Sequence, residues 1–357
     1  MYHMSTTYYD GTKLLSLKDI NGNRPEIYIV CGNRSAGKTT YFSRMITKRY
    51  LNKGMKFCIL YRFSKELKDV SDKFFNDISS LFFPDYAMFD LPRANGAFRE
   101  LFIKNKTIPD DKGSSCGFAV SLNSADEIKK YSHFFKDVTA LYFDEFQSET
   151  NHYCSNEVNK LISIHVSMAR GSGDLVRYLP VYMCSNSVSL LNPYFSAFDL
   201  HNRINAETKF IKGNGFVFEQ TYNPEAANEQ KKSGFMQAFN NNDYIKYSTD
   251  NVYLNDNLTF IEQMAGTNKY LLTIRFANKD YAIRQYINDG IIYCDDKVDE
   301  TFKSKICVTT EDMNINYVML KQNDIYINLL RTYFMKGCFR FKNLDCKNAV
   351  LSLLSYY

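Results

Sequence analysis

The 357-residue sequence predicts an α/β fold with a mainly parallel sheet, followed by a smaller α+β domain. Short apolar runs alternate with helical patterns in the first half, and the first of these runs leads into a glycine-containing loop and a helix. After about residue 190 the chain becomes more polar, and alternating apolar and polar runs follow. We therefore expect an N-terminal domain at 1–205, a linker at 206–234 and a C-terminal domain at 235–357.

Four apolar runs are the strand candidates of the first domain. They are "PEIYIVCG" (25–32), "KFCILYRF" (56–63), "DVTALYFDEF" (137–146) and "LPVYMCSN" (179–186). Helical patterns lie between them, including one at 156–170. Strands that alternate with helices favour a parallel sheet covered on both faces.

The second domain is predicted from three shorter runs and two helical patterns. The runs are "KYLLTIRF" (269–276), "DYAIRQYI" (280–287) and "GIIYC" (290–294). The helical patterns, "DIYINLLRTYFMKG" and "CKNAVLSLLSYY", close the chain. This order of strands and helices indicates an α+β unit.

The composition of the chain argues against several classes of protein. Apolar residues make up 45% of the chain and its net charge is +5, which suits an anionic partner without requiring one. The nine cysteines are an odd number and contain no C-x-x-C pair, which argues against a disulfide framework and a zinc ribbon. No segment resembles a signal peptide, and no apolar run reaches the roughly 18 residues of a membrane span. We expect a soluble protein of a reducing compartment with no membrane partner.

The stretch "GNRSAGKTTY" (32–41) fits the phosphate-loop pattern G-x-x-x-x-G-K-[ST]. Backbone N–H groups of such a loop, at the start of a helix, converge on a β-phosphate. Lys38 would reach the β- and γ-phosphate oxygens, Thr39 would bind Mg²⁺, and Arg34 would add a cation near the γ-phosphate. The nucleotide-binding residues predicted from the loop are Gly32, Asn33, Arg34, Ser35, Ala36, Gly37, Lys38, Thr39 and Thr40.

A second motif follows in "ALYFDEF", where an apolar strand ends in Asp144 and Glu145. In this Walker B pattern Asp144 would hold the Mg²⁺ and Glu145 would polarise the attacking water. With the phosphate loop, it predicts a P-loop NTPase of the class with a catalytic glutamate (ASCE). Its cofactors would be ATP and Mg²⁺, and Lys38 and Glu145 would be catalytic.

Polar and basic side chains near the fourth strand are further candidates. Ser185 and Asn186 end that strand and would contact the nucleotide as sensors of the γ-phosphate, or form an ordinary turn. Arg170 ends a helical pattern and Arg177 precedes the strand; either can supply an arginine finger to a neighbouring subunit or bind local carbonyls. Tyr8 is a weaker candidate for stacking on a base, as is Tyr9.

The segments "GNRSAGKTT", "LYFDEF" and above all "CSNSVSLLNPYF" (184–195) resemble the DNA-packaging (encapsidation) ATPase of small protein-primed podophages. Residues 60–78 and 334–343 are similar to that family as well, so the resemblance extends over most of the chain. The specific part is "SNSVSLLNPYF", because unrelated ATPases share phosphate loops.

This resemblance implies a motor that uses ATP to translocate double-stranded viral DNA into a procapsid. The implied partners are DNA, the portal (connector) of the procapsid and other copies of the chain in a five-fold ring, with a packaging RNA as an open addition. The implied location is the host cytoplasm and, transiently, the portal vertex, but not the mature virion. The resemblance assigns the trans-acting role to Arg170, although the extra residues "GSGDLV" keep Arg177 open.

The resemblance also implies a C-terminal domain similar to an RNase H-like nuclease without its active site. Two-metal nucleases place carboxylates on a central strand, and "YLLTIRF" has none, whereas acidic residues gather at 295–300. The basic stretch 331–347 can contact DNA or the portal, or be a solvated face.

Three rival functions are a helicase or other ring translocase, a terminase with an active nuclease, and a nucleic-acid-binding protein with a degenerate loop. The intact motif residues Lys38, Thr39, Asp144 and Glu145 argue against the last.

Overall fold

The computed structural model describes residues 8–150, 152–170, 176–190, 192–200, 203–204, 207–239, 260–321 and 324–356. The chain divides into two compact units, Met1–Asp256 and Asn257–Tyr357. Each unit has its own sheet and its own buried core. Among the described residues, no helix combines the length and the apolar character that crossing a membrane requires. Residues 171–175, part of the insertion that kept Arg177 open, lie outside the described residues.

The first unit is built on a nine-stranded sheet. Its strands are β1 (Ile27–Gly32), β2 (Lys56–Tyr61), β3 (Tyr86–Arg93), β4 (Phe98–Asn105), β5 (Ser114–Ser121), β6 (Val138–Asp144), β7 (Val181–Asn186), β8 (Phe210–Lys212) and β9 (Phe216–Thr221). They lie in the order β3-β4-β5-β2-β6-β7-β1-β9-β8. The six strands from β5 to β9 in this order pair in parallel, and β3, β4 and β8 pair antiparallel at the two sides. The predicted, mainly parallel sheet is confirmed.

Helices and apolar side chains cover both faces of this sheet. The helices of this unit are α1 (Thr12–Ser16), α2 (Lys38–Lys53), α3 (Val70–Phe82), α4 (Ala125–Lys130), α5 (Glu157–Ala169), α6 (Pro193–Ala197), α7 (Pro224–Lys232) and α8 (Gly234–Ala238), of which α8 buries no residue. Along β1, Ile29 and Cys31 belong to the core on one face, whereas Tyr28 and Val30 belong to the core on the other. A strand buried on both faces is an uninterrupted apolar run, which is why the sequence pattern found it.

The prediction of a linker at 206–234 is wrong, because this segment contributes β8 and β9 to the sheet. Strand β9 pairs in parallel with β1, with Thr221 opposite Gly32. The unit boundary therefore falls between 256 and 257 rather than near 234. The two strands are short and polar residues surround them, so local composition concealed a pairing that is made with a distant strand.

The second unit contains β10 (Lys269–Phe276), β11 (Lys279–Tyr286), β12 (Ile291–Asp295), β13 (Lys305–Cys307), β14 (Phe339–Phe341) and two helices, α9 (Ile325–Met335) and α10 (Leu344–Tyr356). The strand order is β13-β10-β11-β12-β14. Strands β10, β11 and β12 form an antiparallel meander, β13 runs parallel to β10, and β14 runs parallel to β12. This unit has the α+β character that its alternating runs indicate.

A glycine in the first sheet provides a test of the strand packing. A Cβ added to Gly117 of β5 would lie 2.2 Å from the carbonyl oxygen of Phe57 in β2. The paired backbone of β2 cannot move away from the added Cβ as the end of a flexible side chain could. We therefore expect Gly117→Ala to destabilise the protein by about 1–3 kcal/mol. Urea unfolding measures this. Gly234→Ala is the control, because a Cβ there meets no heavy atom within 4 Å; equal stability of the two variants would contradict the described pairing.

Candidate nucleotide site

Parallel pairing of three strands brings the two sequence motifs together. Gly32 at the end of β1 is opposite Asn186 at the end of β7, and Cys184 of β7 is opposite Asp144 at the end of β6. Strand β7 therefore lies between the phosphate-loop strand and the Walker B strand. Because parallel strands end at the same edge of a sheet, all three termini face one place.

Two glycines are required by the shape of the phosphate loop. A Cβ on Gly32 would lie 2.3 Å from the carbonyl oxygen of Thr221, so β1 and β9 approach too closely for a side chain. Gly37 precedes the first residue of α2 with φ of 91°, a left-handed conformation that favours glycine. These glycines let the loop turn sharply from the strand into the helix.

Asn33, predicted to bind nucleotide, directs its side chain elsewhere. Its Nδ2 donates to the carbonyl oxygen of Asn223 at 3.1 Å, and its Oδ1 accepts from the N–H of Asn223 at 2.9 Å. This pair of hydrogen bonds ties the loop to the segment after β9. Only the backbone groups of Asn33 are therefore available to a ligand of the phosphate loop.

Lys38 is a buried cation held by the loop itself. Its side chain is only 5% exposed, and Nζ donates to the carbonyl oxygens of Gly32 at 3.3 Å and Asn33 at 2.7 Å. Burial lowers the pKa of the Lys38 ammonium. Because a buried charge is costly unless it is paired, phosphate oxygens are stronger partners for Lys38 than these neutral carbonyls.

Asp144 and Thr39 form a set of oxygens that suits Mg²⁺. Oδ1 of Asp144 accepts from Thr39 Oγ1 at 3.3 Å, from Cys184 Sγ at 2.9 Å and from the N–H of Glu145 at 3.0 Å. Hydroxyl and carboxylate oxygens are hard ligands, and Mg²⁺ takes one or two of them together with water and phosphate oxygens. Among the described residues there is no group of three or more His, Cys, Asp or Glu side chains that could hold a metal alone.

Glu145 has an unusual backbone and a perturbed side chain. Its φ is 53°, a left-handed value that is costly for a residue with a side chain. Burial raises the pKa of the Glu145 carboxyl, and the charges of Asp144 and Glu149 raise it further. A raised pKa makes this carboxylate a better proton acceptor than an exposed glutamate.

Ser185 and Asn186 complete the rim of the site. The buried hydroxyl of Ser185 donates to the carbonyl oxygen of Asn186 at 2.9 Å, whereas Asn186 is half-buried. Both residues line a cavity of about 390 Å³ together with both motifs. Its full lining is Tyr8, Arg34, Ser35, Ala36, Gly37, Lys38, Thr39, Thr40, Asp144, Glu145, Ser185 and Asn186.

The two candidate arginines have different environments. Arg177 donates to the carbonyl oxygens of Met168 at 2.7 Å, Phe135 at 3.3 Å and Val138. Arg170 follows the last residue of α5 and is exposed; among the residues that the structure describes, no side chain or carbonyl binds it.

A buried ion pair beside the site was not predicted as functional. Nε of Arg62, the residue after β2, lies 2.9 Å from Oε2 of Glu157, the first residue of α5. Arg62 also donates from Nη2 to the carbonyl oxygen of Phe146, the residue after Glu145, at 2.7 Å. The Tyr194 hydroxyl donates to Glu157 Oε1 at 2.8 Å. Arg62 lies inside the family-like segment 60–78 and Tyr194 inside the family-like segment 184–195, and this was the one signal for either residue in the sequence.

Gln147 is a second residue that sequence reasoning missed. Its Oε1 accepts from the N–H groups of Val188 at 3.2 Å and Ser189 at 2.9 Å. The buried amide therefore joins the segment after Glu145 to the segment after β7. Its position directly after "DEF" was the only feature of the sequence that could have indicated a role for Gln147 at the site.

The buried pair generates a stability test. Arg62→Met leaves Glu157 buried without its cation, so we expect a loss of about 3–5 kcal/mol in the free energy of unfolding. The double variant Arg62→Met/Glu157→Gln should lose clearly less free energy of unfolding than the summed losses of the two single variants. Urea unfolding measures the coupling. Arg93→Met, at the partly exposed pair with Glu100, is the matched control and should cost less than about 1 kcal/mol. Additive effects at 62 and 157 would contradict a shared buried interaction.

Comparison with known proteins extends these findings over the whole chain. The DNA packaging protein of Bacillus phage phi29 is 27% identical over 350 residues, which cover 97% of this chain and 96% of that protein. The DNA packaging protein of Bacillus phage B103 is 27% identical over 320 residues, covering 88% of this chain and 92% of that protein.

Solved structures share the fold. A chain of the bacteriophage Phi-29 viral genome packaging motor assembly is similar with a TM-score of 0.68 and 22% identity, over 98% of this chain and 99% of that chain. The Phi-28 gp11 DNA packaging motor is similar with a TM-score of 0.58 and 15% identity, over 98% of this chain and 97% of that chain.

The family described as Podovirus DNA encapsidation protein (Gp16) matches residues 4–356. This match covers nearly the whole chain and confirms the resemblance that the motifs indicated. The chain belongs to the podovirus DNA encapsidation protein (Gp16) family.

Proposed function

We propose that this chain is the ATP-hydrolysing subunit of a motor that translocates double-stranded viral DNA into a procapsid. The observation that carries the proposal is the convergence of Lys38, Thr39, Asp144 and Glu145 on one cavity, in a member of a DNA encapsidation family. Relatives named as DNA packaging proteins over nearly the same length support it.

In this mechanism the loop binds the triphosphate through its backbone N–H groups, and Lys38 exchanges its two carbonyl partners for phosphate oxygens. Thr39 and Asp144 would hold Mg²⁺, which when bound supplies positive charge to the phosphate oxygens. Glu145 orients the attacking water and accepts its proton, a task that its raised pKa favours. Asn186, at the rim, contacts the γ-phosphate and reports its loss.

Arg170 acts in the site of a neighbouring copy. Helix α5 begins at Glu157, beside the site, and its 13 residues carry the chain about 20 Å away at 1.5 Å per residue. Arg170 therefore lies too far to serve its own site, and its exposure leaves it able to reach another. Arg177, bound to three carbonyls of its own chain, is a structural residue instead.

A trans-acting arginine requires a neighbouring copy at every site, and a closed ring of copies supplies one to each. The family resemblance further implies five-fold symmetry and docking on the portal. It also implies a transient location at the procapsid within the host cytoplasm, with a packaging RNA as an open addition. The motor would hold DNA by its phosphates rather than its bases, because it must accept every sequence.

The basic stretch 331–347 contributes less to such a grip than its composition indicates. Arg340 pairs with Glu262 at 2.6 Å, and Lys342 pairs with Asp296. Two of its five cations are therefore already neutralised within the unit, which favours the solvated-face interpretation for them.

The C-terminal unit resembles an RNase H-like domain that has lost its active site. This likeness is proposed from the family resemblance, and the described sheet supplies an antiparallel meander, β10–β11–β12, with β13 and β14 running parallel to its two edge strands. Its first strand, Lys269–Phe276, carries no Asp or Glu, so the central carboxylate of a two-metal nuclease is missing.

Hydrolysis in mixed subunits tests the trans-acting site. Glu145→Gln should lower duplex-stimulated ATP hydrolysis by at least about 100-fold, since it removes the proton acceptor. Arg170→Ala should lower it by about 1,000-fold, which is the usual contribution of an arginine finger. Mixing the two variants should restore part of the activity, because some interfaces then join an intact Glu145 to an intact Arg170.

The matched control is Arg177→Ala, which should lower stability more than it lowers the rate per folded molecule. Activity lost on Arg177→Ala and kept on Arg170→Ala would reverse the assignment. Duplex binding without hydrolysis at any protein concentration would favour the binding-protein alternative, and stimulation by single strands with unwinding would favour a helicase.

Nuclease activity provides a separate test. Incubation of the full chain with plasmid DNA and Mn²⁺ should leave the plasmid uncut, because β10 offers no carboxylate to a metal. Gel electrophoresis measures this, with an active two-metal nuclease as the positive control. Cleavage that persists through purification of the Glu145→Gln variant would instead support a terminase with an active nuclease.

A further inference from the structure

The segment before α1 crosses the phosphate loop and places an aromatic ring at the nucleotide cavity. The N–H of Tyr9 donates to the carbonyl oxygen of Ala36 at 2.9 Å. A Cβ on Gly37 would lie 3.0 Å from Cδ1 of Tyr8, so that ring sits directly against the loop. Tyr8 nevertheless is 51% exposed and lines the cavity of about 390 Å³.

Tyr9 anchors this segment. Its ring is buried against Tyr41 and Phe42 of α2, with centroid separations of 5.5 and 6.2 Å. Its hydroxyl donates to Oε2 of Glu219 in β9 at 2.6 Å, which is a buried, charge-assisted hydrogen bond. Tyr9 is therefore a structural residue and not a stacking platform, whereas its neighbour Tyr8 is held in place with one face open.

The rest of the cavity has chemistry for phosphates but little for a base. Its polar side chains would face the triphosphate part of a nucleotide; they include Lys38, Thr39, Asp144, Glu145 and Asn186. Of the side chains that the structure describes around this cavity, Tyr8 is the one aromatic ring. A base that extends from phosphates bound at Lys38 needs an apolar face, and the exposed ring of Tyr8 offers one beside Gly37.

We propose that Tyr8 is the platform on which the base of the bound nucleotide stacks. This inference rests on the proposed function, because it requires a triphosphate at Lys38. Stacking is tolerant of the base, since every base has a π-face. Tyr8 therefore contributes affinity for the nucleoside part without selecting adenine over guanine, and its hydroxyl is dispensable.

The test compares ATP, GTP and inorganic tripolyphosphate by isothermal titration calorimetry on the full chain with Mg²⁺ and without DNA. Tyr8→Leu, which removes the ring but keeps an apolar side chain, should weaken ATP and GTP about tenfold. It should change tripolyphosphate binding by less than about twofold, because the phosphate contacts remain. Tyr8→Phe should bind all three as the wild type does, which also shows that the segment tolerates substitution.

Phe235→Leu is the control, since it removes another exposed aromatic ring, 73% exposed, that lies outside the cavity. A Tyr8→Leu variant that loses ATP and tripolyphosphate equally would overturn the proposal, because the ring would then only order the loop. A variant that binds all three ligands as the wild type does would also overturn it and leave the proposed function standing. A wild type that binds neither ATP nor tripolyphosphate would overturn both.

Discussion

The backbone pairing of β1, β7 and β6 is the constraint on which the rest of the site depends. Gly32 opposite Asn186 and Cys184 opposite Asp144 fix which residue ends each strand at the shared edge. Side chains alternate along a strand, so a slip of one residue in β7 would exchange the directions of Ser185 and Asn186. The same pairing brings Thr39, at the start of α2, within 3.3 Å of Asp144. Neither sequence motif can act without the register that aligns them.

Charges at this edge are arranged for a ligand that is itself highly charged. Lys38 is buried against neutral carbonyls with a lowered pKa, and Glu145 is buried with a raised pKa. Each group is held in an environment that disfavours its charged form. A triphosphate beside Lys38 would favour the ammonium, whereas Glu145, with its backbone in a left-handed conformation, lies on the Asp144 side of the cavity. Preorganised groups of this kind need little rearrangement when the reaction occurs.

Sequence reasoning identified the central strands and the motif residues because both are local patterns. A phosphate loop follows an apolar run, and Asp144–Glu145 end another, so their shared edge follows from parallel pairing. What it missed depends on contacts between distant parts of the chain. Strand β9 was assigned to a linker because the segment around it is polar, and its pairing partner, β1, lies almost 190 positions earlier.

Side-chain roles show the same limit. Asn33 was grouped with the loop although its side chain binds Asn223, and nothing in the local pattern distinguishes the two roles. A buried arginine is also indistinguishable from a surface one until its partner is known, and Arg62 and Glu157 are 95 positions apart.

Helix α5 links two parts of the molecule, and only the fold shows this link. At one end Glu157 is bound to Arg62, which also holds the residue after Glu145. At the other end stands Arg170, about 20 Å away. Within one chain, α5 therefore connects the surroundings of Glu145 to the exposed Arg170 through a single stiff helix.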